Sequence, residues 1–122
     1  MTELYVRRFG YEICTGVIHD PAQTAYVQFL RFPGDRTYLE FVAPDGPDSK
    51  LSGAIRRGGG LNHLCYSVYD IENATHELSA TGMMILTPPV AGVPFNGRRV
   101  AWLCGEDGAP IELVERGDKG AL

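Results

Sequence analysis

The stretch that decides the fold is Gly58-Gly59-Gly60-Leu61-Asn62-His63-Leu64-Cys65-Tyr66-Ser67-Val68-Tyr69-Asp70. Its glycines predict a flexible joint, and the residues after them alternate between the two faces of a predicted strand. One face is apolar and consists of Leu64, Tyr66 and Val68. His63 lies on the other face, and Asp70 stands where a helix N-cap belongs. A side chain that can bind metal therefore begins this strand, although a lone strand histidine is more often structural.

Two parts of the chain match each other at a constant offset of 72 residues, without a gap. Phe9-Gly10 aligns with Thr81-Gly82, and Leu39-Glu40-Phe41-Val42 aligns with Ile111-Glu112-Leu113-Val114. This agreement predicts a duplicated unit. The second copy reads as strand, helix and three further strands. The first copy shows the end of its helix and three strands, so we expect its opening strand to be absent.

Apolar periodicity and turn residues predict the remaining elements. The predicted helices are 2–9, 49–57 and 71–81. The predicted strands are 11–18, 25–32, 37–42, 61–68, 83–87, 99–104 and 110–115. The segment 88–97, rich in proline and glycine, is expected to be a loop long enough to cover a cleft.

The length of 122 residues predicts a single domain, 1–122. Within it we distinguish a truncated first module (1–48), a linker (49–60), a complete βαβββ module (61–116) and a frayed tail (117–122). A net charge of −4 argues against nucleic acid or a membrane surface as a partner. The sequence shows no signal pattern and no long apolar run, so we expect a cytoplasmic protein. Its three cysteines speak against a disulfide framework.

The repeat gives the two glutamates of the matched strands a possible chemical role. Glu40 and Glu112 occupy equivalent places, and each is flanked by apolar residues that point the other way. If the two copies form one curved sheet, both glutamates and His63 face its concave side. Two carboxylates and an imidazole suit a divalent metal such as Co, Ni, Mn, Fe or Zn. The alternative is that both glutamates lie on a solvated sheet face.

Segments along nearly the whole chain follow one family pattern: Gly60-Leu61-Asn62-His63, Tyr69-Asp70-Ile71-Glu72, Thr81-Gly82, Arg99-Val100-Ala101-Trp102-Leu103 and Ile111-Glu112-Leu113. In these segments the chain resembles the vicinal-oxygen-chelate superfamily, which includes glyoxalase I, bleomycin-resistance proteins, extradiol dioxygenases and methylmalonyl-CoA epimerase. It is most similar to the epimerase-like branch. The resemblance implies an α+β fold in which paired βαβββ modules form a curved mixed sheet around a cleft, with the first module incomplete.

The resemblance also implies site residues. His63 and Glu112 would be metal ligands, and Glu40 falls where epimerase-like members place another. The remaining family ligand is a histidine on the opening strand that this chain lacks. Gln28 falls at the position of the epimerases' catalytic glutamate, and an amide cannot take up a proton as that glutamate does. Glu112 would then double as the catalytic base.

Three functions stay open at this point. The first is a metal-dependent isomerase or lyase acting on a small carbonyl or acyl-thioester compound. The second is a metal-free protein that binds a small, partly aromatic molecule. For either function the candidate substrate-binding residues are Gln28, Phe95 and Trp102, with the two aromatic side chains as apolar walls. The third is a truncated or recombined product that keeps the fold and little activity. An uncovered edge where the first strand is missing predicts a homodimer.

Overall fold

The computed structural model describes residues 1–117. The chain divides into two compact units, Met1–Gly58 and Gly59–Leu122. Each unit combines helices with a four-stranded sheet, so the predicted α+β class is confirmed. Of the tail expected at 117–122, all but its first residue lies outside the described part. Residues 1–117 include no helix with the length and apolar character needed to cross a membrane.

The first unit is an antiparallel sheet with helix α1 (Thr2–Phe9) against one face. Strands β1 (Glu12–Ile13) and β2 (Ile18–Asp20) both pair with β3 (Ala25–Arg31), and β3 also pairs with β4 (Tyr38–Pro44). The short helix α2 (Ser52–Arg56) ends the unit. The α1 side of the sheet is fixed by an edge-on contact between the rings of Tyr5 and Phe41, with centroids 4.9 Å apart.

The single strand predicted over 11–18 is wrong, since the structure has two short strands there. The reason is a side chain that replaces a ladder bond. Phe29 N donates to the Thr15 side chain, at Oγ1, over 3.1 Å. Thr15 therefore interrupts the ladder between β1 and β2, which a propensity argument does not detect.

The two helices of the repeat end in the same way. After α1, Gly10 adopts a left-handed conformation with φ 76° and donates its backbone N–H to Tyr5 O. In the second unit the helix Ile71–Ala80 is followed by Thr81 and then by Gly82, whose φ is 104°. Both backbone positions disfavour a residue with a Cβ atom. The 72-residue offset thus relates two matching helix ends.

The second unit has the complete βαβββ order. Its elements are β5 (Leu64–Val68), α3 (Ile71–Ala80), β6 (Met84–Ala91), β7 (Arg99–Cys104) and β8 (Pro110–Glu115). The spatial order is β5-β8-β7-β6, with β5 parallel to β8 and the other pairs antiparallel. Asp70 accepts a hydrogen bond of 3.0 Å from Asn73 N, which confirms the predicted N-cap of α3.

The core of the second unit lies between α3 and its sheet. The buried residues of that core are Ile71, Ala101, Leu103 and Leu113, and the partly buried ones packed around them are Val68, Ala74, Leu78, Met83 and Ile111. On β8 these core residues alternate with Glu112. The same strand therefore supports α3 with one face and presents Glu112 on the other.

Strand β6 continues further than predicted. It runs to Ala91, and a 3-10 turn at Val93–Phe95 follows, so the loop expected at 88–97 is wrong in its first half. The pairing with β7 shifts register between Thr87 and Val90. Pro88 and Pro89 occupy that irregularity, where a missing N–H interrupts the ladder without ending the strand.

An ion-pair network ties the end of β8 to β7 and α3. Arg99 donates to Glu115 through Nη2 at 2.7 Å and through Nε at 3.1 Å, and its Nη1 reaches Glu72 at 2.6 Å. The hydrogen bond from the Arg99 side chain, followed by the one from its backbone, lowers the pKa of Glu115 below its ordinary value of 4.5. The bond to Glu115, then that to Glu72, raises the pKa of Arg99.

This lowered pKa predicts a pH-dependent part of the stability. The Glu115 carboxylate contributes fully above its ordinary pKa, and the contribution is lost as the pH falls through the lower folded value. We expect Glu115→Gln to reduce the free energy of unfolding at pH 7, with the difference from the parent shrinking towards pH 3. Urea unfolding measures it, and Glu106→Gln on an exposed turn is the control. A difference that stays constant with pH would contradict the prediction.

Candidate functional site

Glu112 is a buried carboxylate in the middle of the second sheet. Its cross-strand neighbours are Cys65 on β5 and Trp102 on β7. Because Ile111 and Leu113 belong to the core beneath α3, the Glu112 side chain emerges on the opposite face. The residue is only 6% exposed. A carboxylate buried to this extent needs a charged or hydrogen-bonding partner.

His63 supplies that partner from the residue before β5. Its Nε2 lies 3.1 Å from Glu112 Oε2, and the side chains of His63 and Glu112 are 12% and 8% exposed. Both groups belong to the second unit, and the structure brings their side chains together there. The contact combines a nitrogen and an oxygen donor in a largely desolvated place.

Asn62 determines which ring nitrogen of His63 carries the hydrogen. The Asn62 Oδ1 atom lies 2.9 Å from His63 Nδ1. An amide oxygen only accepts, so Nδ1 carries the hydrogen in this contact. Nε2 then faces the carboxylate either as the second N–H of an imidazolium or as a bare lone pair. The first state is a complete ion pair, whereas the second requires a proton on Glu112 or a cation shared by Nε2 and Glu112.

Trp102 forms a wall beside the pair. Its ring meets that of His63 edge to face, with centroids 4.5 Å apart. The indole Nε1 is buried and has no hydrogen-bond partner in the part of the chain that the structure describes. A buried N–H without an acceptor is rare in folded proteins. Of the three residues predicted to contact substrate, Trp102 is thus placed directly against His63.

Glu40 occupies the corresponding place in the first unit. It lies half-buried in the middle of β4, with Phe29 as its cross-strand neighbour. The adjacent Phe41 points to the α1 side, where it contacts Tyr5. Glu40 therefore emerges on the sheet face away from α1, as Glu112 does from the face away from α3.

Gln28 and Phe95 are used in packing. Gln28 accepts a hydrogen bond from Thr2 Oγ1 at 3.1 Å and donates one to Thr15 O at 3.2 Å. Because Gln28 pairs with Phe41 across the ladder, it lies on the α1 side, opposite Glu40. Phe95 is buried in the 3-10 turn after β6, under the guanidinium of Arg98. The predicted strand 25–32 did not reveal that Gln28 faces α1.

Sequence reasoning also gave Asn62 no role. The structure shows its side-chain oxygen in contact with Nδ1 of His63. The adjacency of a side-chain acceptor to a candidate ligand histidine is the signal that could have identified it, since metal-binding histidines commonly donate their second N–H to such a group.

The chain has clear relatives. The pattern of the Glyoxalase/Bleomycin resistance protein/Dioxygenase superfamily matches residues 1–102. An ethylmalonyl-CoA/methylmalonyl-CoA epimerase of Cereibacter sphaeroides is 30% identical over 100 residues, which cover 79% of this chain and 73% of that protein. The protein YwkD of Bacillus subtilis is 27% identical over 112 residues, or 92% of this chain and 83% of that one.

The fold comparison agrees with the sequence comparison. The crystal structure of methylmalonyl-CoA epimerase from Mycobacterium tuberculosis superimposes with a TM-score of 0.81 at 24% identity, covering 96% of this chain and 79% of that one. This likeness shows the glyoxalase-like fold. Together with the match over residues 1–102, it confirms the resemblance inferred from the sequence. The chain therefore belongs to the glyoxalase/bleomycin resistance protein/dioxygenase superfamily.

Proposed function

We propose that this chain is a metal-dependent isomerase or lyase that acts on a small carbonyl or acyl-thioester compound. The observation that carries the proposal is the 3.1 Å contact between His63 Nε2 and Glu112 Oε2, made while Nδ1 is held by Asn62. This arrangement turns the second imidazole nitrogen towards a carboxylate. The similarity to an epimerase of acyl-CoA substrates supports the acyl-thioester class.

The donor atoms of the second unit fit a divalent metal. The imidazole nitrogen of His63 and the carboxylate oxygen of Glu112 lie 3.1 Å apart, close enough for one cation to be held by both. A nitrogen and an oxygen donor would suit a divalent metal such as Co, Ni, Mn, Fe or Zn.

The proposed third ligand is Glu40. Its support is the repeat, because Glu40 is 72 residues before Glu112 and occupies the same place in the last strand of its unit. Both carboxylates emerge from the sheet face away from the helix. One imidazole and two carboxylates leave positions for substrate oxygens, as catalytic sites require.

The chain's own residues would perform the proton transfer. A bound divalent metal supplies Lewis-acid polarisation of a substrate carbonyl. The Glu112 carboxylate would accept the proton next to that carbonyl and return it. His63 and Asn62 would hold the Glu112 side chain and exclude water on one side. The Trp102 indole N–H, which has no acceptor in residues 1–117, would donate to a substrate oxygen.

Strand β3 contributes no carboxylate to the sheet face that carries Glu40. On β3, the residues that share the sheet face of Glu40 are Val27, Phe29 and Arg31, according to the pairing with β4. Gln28 is turned to α1 and has no part in the proposal. Without a second carboxylate on this strand, proton removal and return by Glu112 alone is the simpler assignment.

A second candidate is a metal-free protein that sequesters a small aromatic molecule. The observation that favours it is the same His63–Glu112 contact, which is a complete ion pair when the imidazole carries both protons. The edge of Trp102 against His63 would then line a binding surface rather than a reaction site. Saturable ligand binding without metal or turnover would select this function.

Deuterium exchange tests the enzyme proposal directly. With Co²⁺ and methylmalonyl-CoA in D₂O, we expect the chain to exchange the proton next to the thioester carbonyl, as seen by NMR. Glu112→Gln should slow the exchange by about 100-fold or more, since removing a general base typically costs that much. Glu106→Gln is the matched control on an exposed turn. Metal-loaded protein without exchange of this substrate or of a simpler acyl thioester would overturn the proposal.

The homodimer and the cytoplasmic location stay predictions from the sequence. We propose the dimer as the working assembly, supported by apolar residues left exposed on β5, where Leu64 and Tyr66 are about half accessible.

A further inference from the structure

We propose that Arg31 binds a carboxylate group of a small-molecule ligand on the sheet face of the first unit that carries Glu40. Arg31 ends β3, and its cross-strand neighbour on β4 is Tyr38. Neither the family resemblance nor the proposed metal chemistry assigns a role to Arg31. The site does not depend on a bound metal, so it can be tested separately from the proposed function.

The pairing pattern places Arg31 and Glu40 on one face. Arg31 pairs with Tyr38 and Phe29 pairs with Glu40, and residues two apart on a strand point the same way. Strand geometry puts the Arg31–Tyr38 pair about 7 Å along the sheet from the Phe29–Glu40 pair. A ligand that lies along this face can therefore reach both the cationic and the anionic side chain.

The guanidinium of Arg31 is held in place, but residues 1–117 give it no counter-charge. Nη1 donates to Tyr38 Oη at 3.3 Å, and Cζ lies 5.5 Å from the centroid of the Tyr38 ring. Glu12 is the cross-strand neighbour on β1, yet no carboxylate in residues 1–117 lies within ion-pair distance of Arg31. Arg31 is partly buried, and a charge withdrawn from water is normally paired with an acid.

The Nε atom of Arg31 adds a second and independent sign. It is buried and has no hydrogen-bond partner in the described part of the chain. Burying an N–H donor without an acceptor costs free energy, so such groups in native proteins call for an explanation. An acceptor supplied by a ligand would satisfy the donor and neutralise the charge together.

The free edge of the guanidinium selects the kind of ligand. Nη1 is engaged by Tyr38, which leaves the edge formed by Nε and Nη2. That edge presents two parallel N–H donors with the spacing of the two oxygens of a carboxylate. A neutral carbonyl would satisfy one donor only and would leave the charge unbalanced. The geometry therefore favours a carboxylate ligand.

Succinate binding to EDTA-treated protein tests this site. By calorimetry and thermal unfolding we expect the parent to bind succinate, and neutral succinamide not to bind. Arg31→Met should weaken succinate binding by at least about tenfold, the loss expected for a charge-assisted pair. Arg36→Met removes an equally cationic but exposed side chain and should leave the affinity unchanged.

Two further measurements distinguish the possible failures. Arg31→Lys keeps the charge and removes the planar fork, so it should also weaken binding by about tenfold, and it serves if Arg31→Met does not fold. Equal succinate affinity in parent and Arg31→Lys, or no binding by the parent, would overturn the inference. Phosphate binding as tight as succinate binding would overturn the assignment to a carboxylate. Because metal is absent throughout, none of these outcomes bears on the metal proposal.

Discussion

His63→Ala is expected to abolish tight binding of a divalent metal. The substitution removes the proposed nitrogen ligand, which lies 3.1 Å from Glu112 Oε2, and leaves only the proposed carboxylate ligands, which hold late first-row metals poorly. Changing a residue behind a metal ligand already costs about 10–100-fold in affinity, so loss of a ligand should cost about 100-fold or more. Metal analysis after Co²⁺ or Ni²⁺ loading and desalting, followed by calorimetric titration, measures the change.

Two other variants serve as a control for His63→Ala and as a test of the Asn62 contact. His76→Ala removes a histidine from the exposed face of α3 and should bind metal like the parent. Asn62→Leu keeps His63 but removes the acceptor for Nδ1, and should weaken binding by about tenfold. Equal metal content in the parent and His63→Ala would eliminate the proposed ligand set. A metal-free parent would leave the binding-protein function as the better reading of the His63–Glu112 contact.

Leu103→Ala is expected to produce the largest loss of stability. Leu103 is fully buried between α3 and its sheet, where it shares the core with Ile71 and Leu113. Truncating a buried leucine removes apolar contacts and leaves a cavity, at a cost of about 2–5 kcal/mol. Urea unfolding followed by circular dichroism measures the change in the free energy of unfolding.

The same substitution at an exposed position is the control. Leu61 is 87% exposed, so Leu61→Ala should change the free energy of unfolding by less than about 0.5 kcal/mol. If Leu103→Ala were as mild as Leu61→Ala, the packing of α3 on β7 and β8 would be wrong. Loss of cooperativity in Leu103→Ala would instead show that this core holds the second unit together.

Much of the second unit could be predicted because its signals are local. Asp70 and Gly82 bracket α3, as an N-cap and a left-handed glycine should. The alternation of apolar and polar residues around Glu112 predicted which side chains face the core. Because Glu40 lies 72 residues before Glu112 in the repeat, the same orientation could be predicted for its side chain. These inferences needed only the period of a strand and the offset between the two copies.

The features that the sequence did not reveal depend on contacts between distant residues. The break between β1 and β2 comes from Thr15 bonding to Phe29, and the continuation of β6 past Pro88 depends on pairing with β7. Gln28 faces α1 because of its register against Phe41, and a shift of one residue would have reversed its face. Register is a property of the pair of strands, so a single segment does not reveal it.

One face of β8 packs against α3 and the other presents Glu112, and this constrains which insertions and deletions the protein can tolerate in evolution. Lengthening or shortening the turn between Cys104 and Pro110 in a way that slides β8 by one position would push the Glu112 carboxylate under α3 and swing Leu113 outward. Such an indel would damage folding and reactivity at once. Variation in turn length is therefore expected to be absorbed within the turn, where Gly108 has φ 74°, while substitutions alone diversify the chemistry.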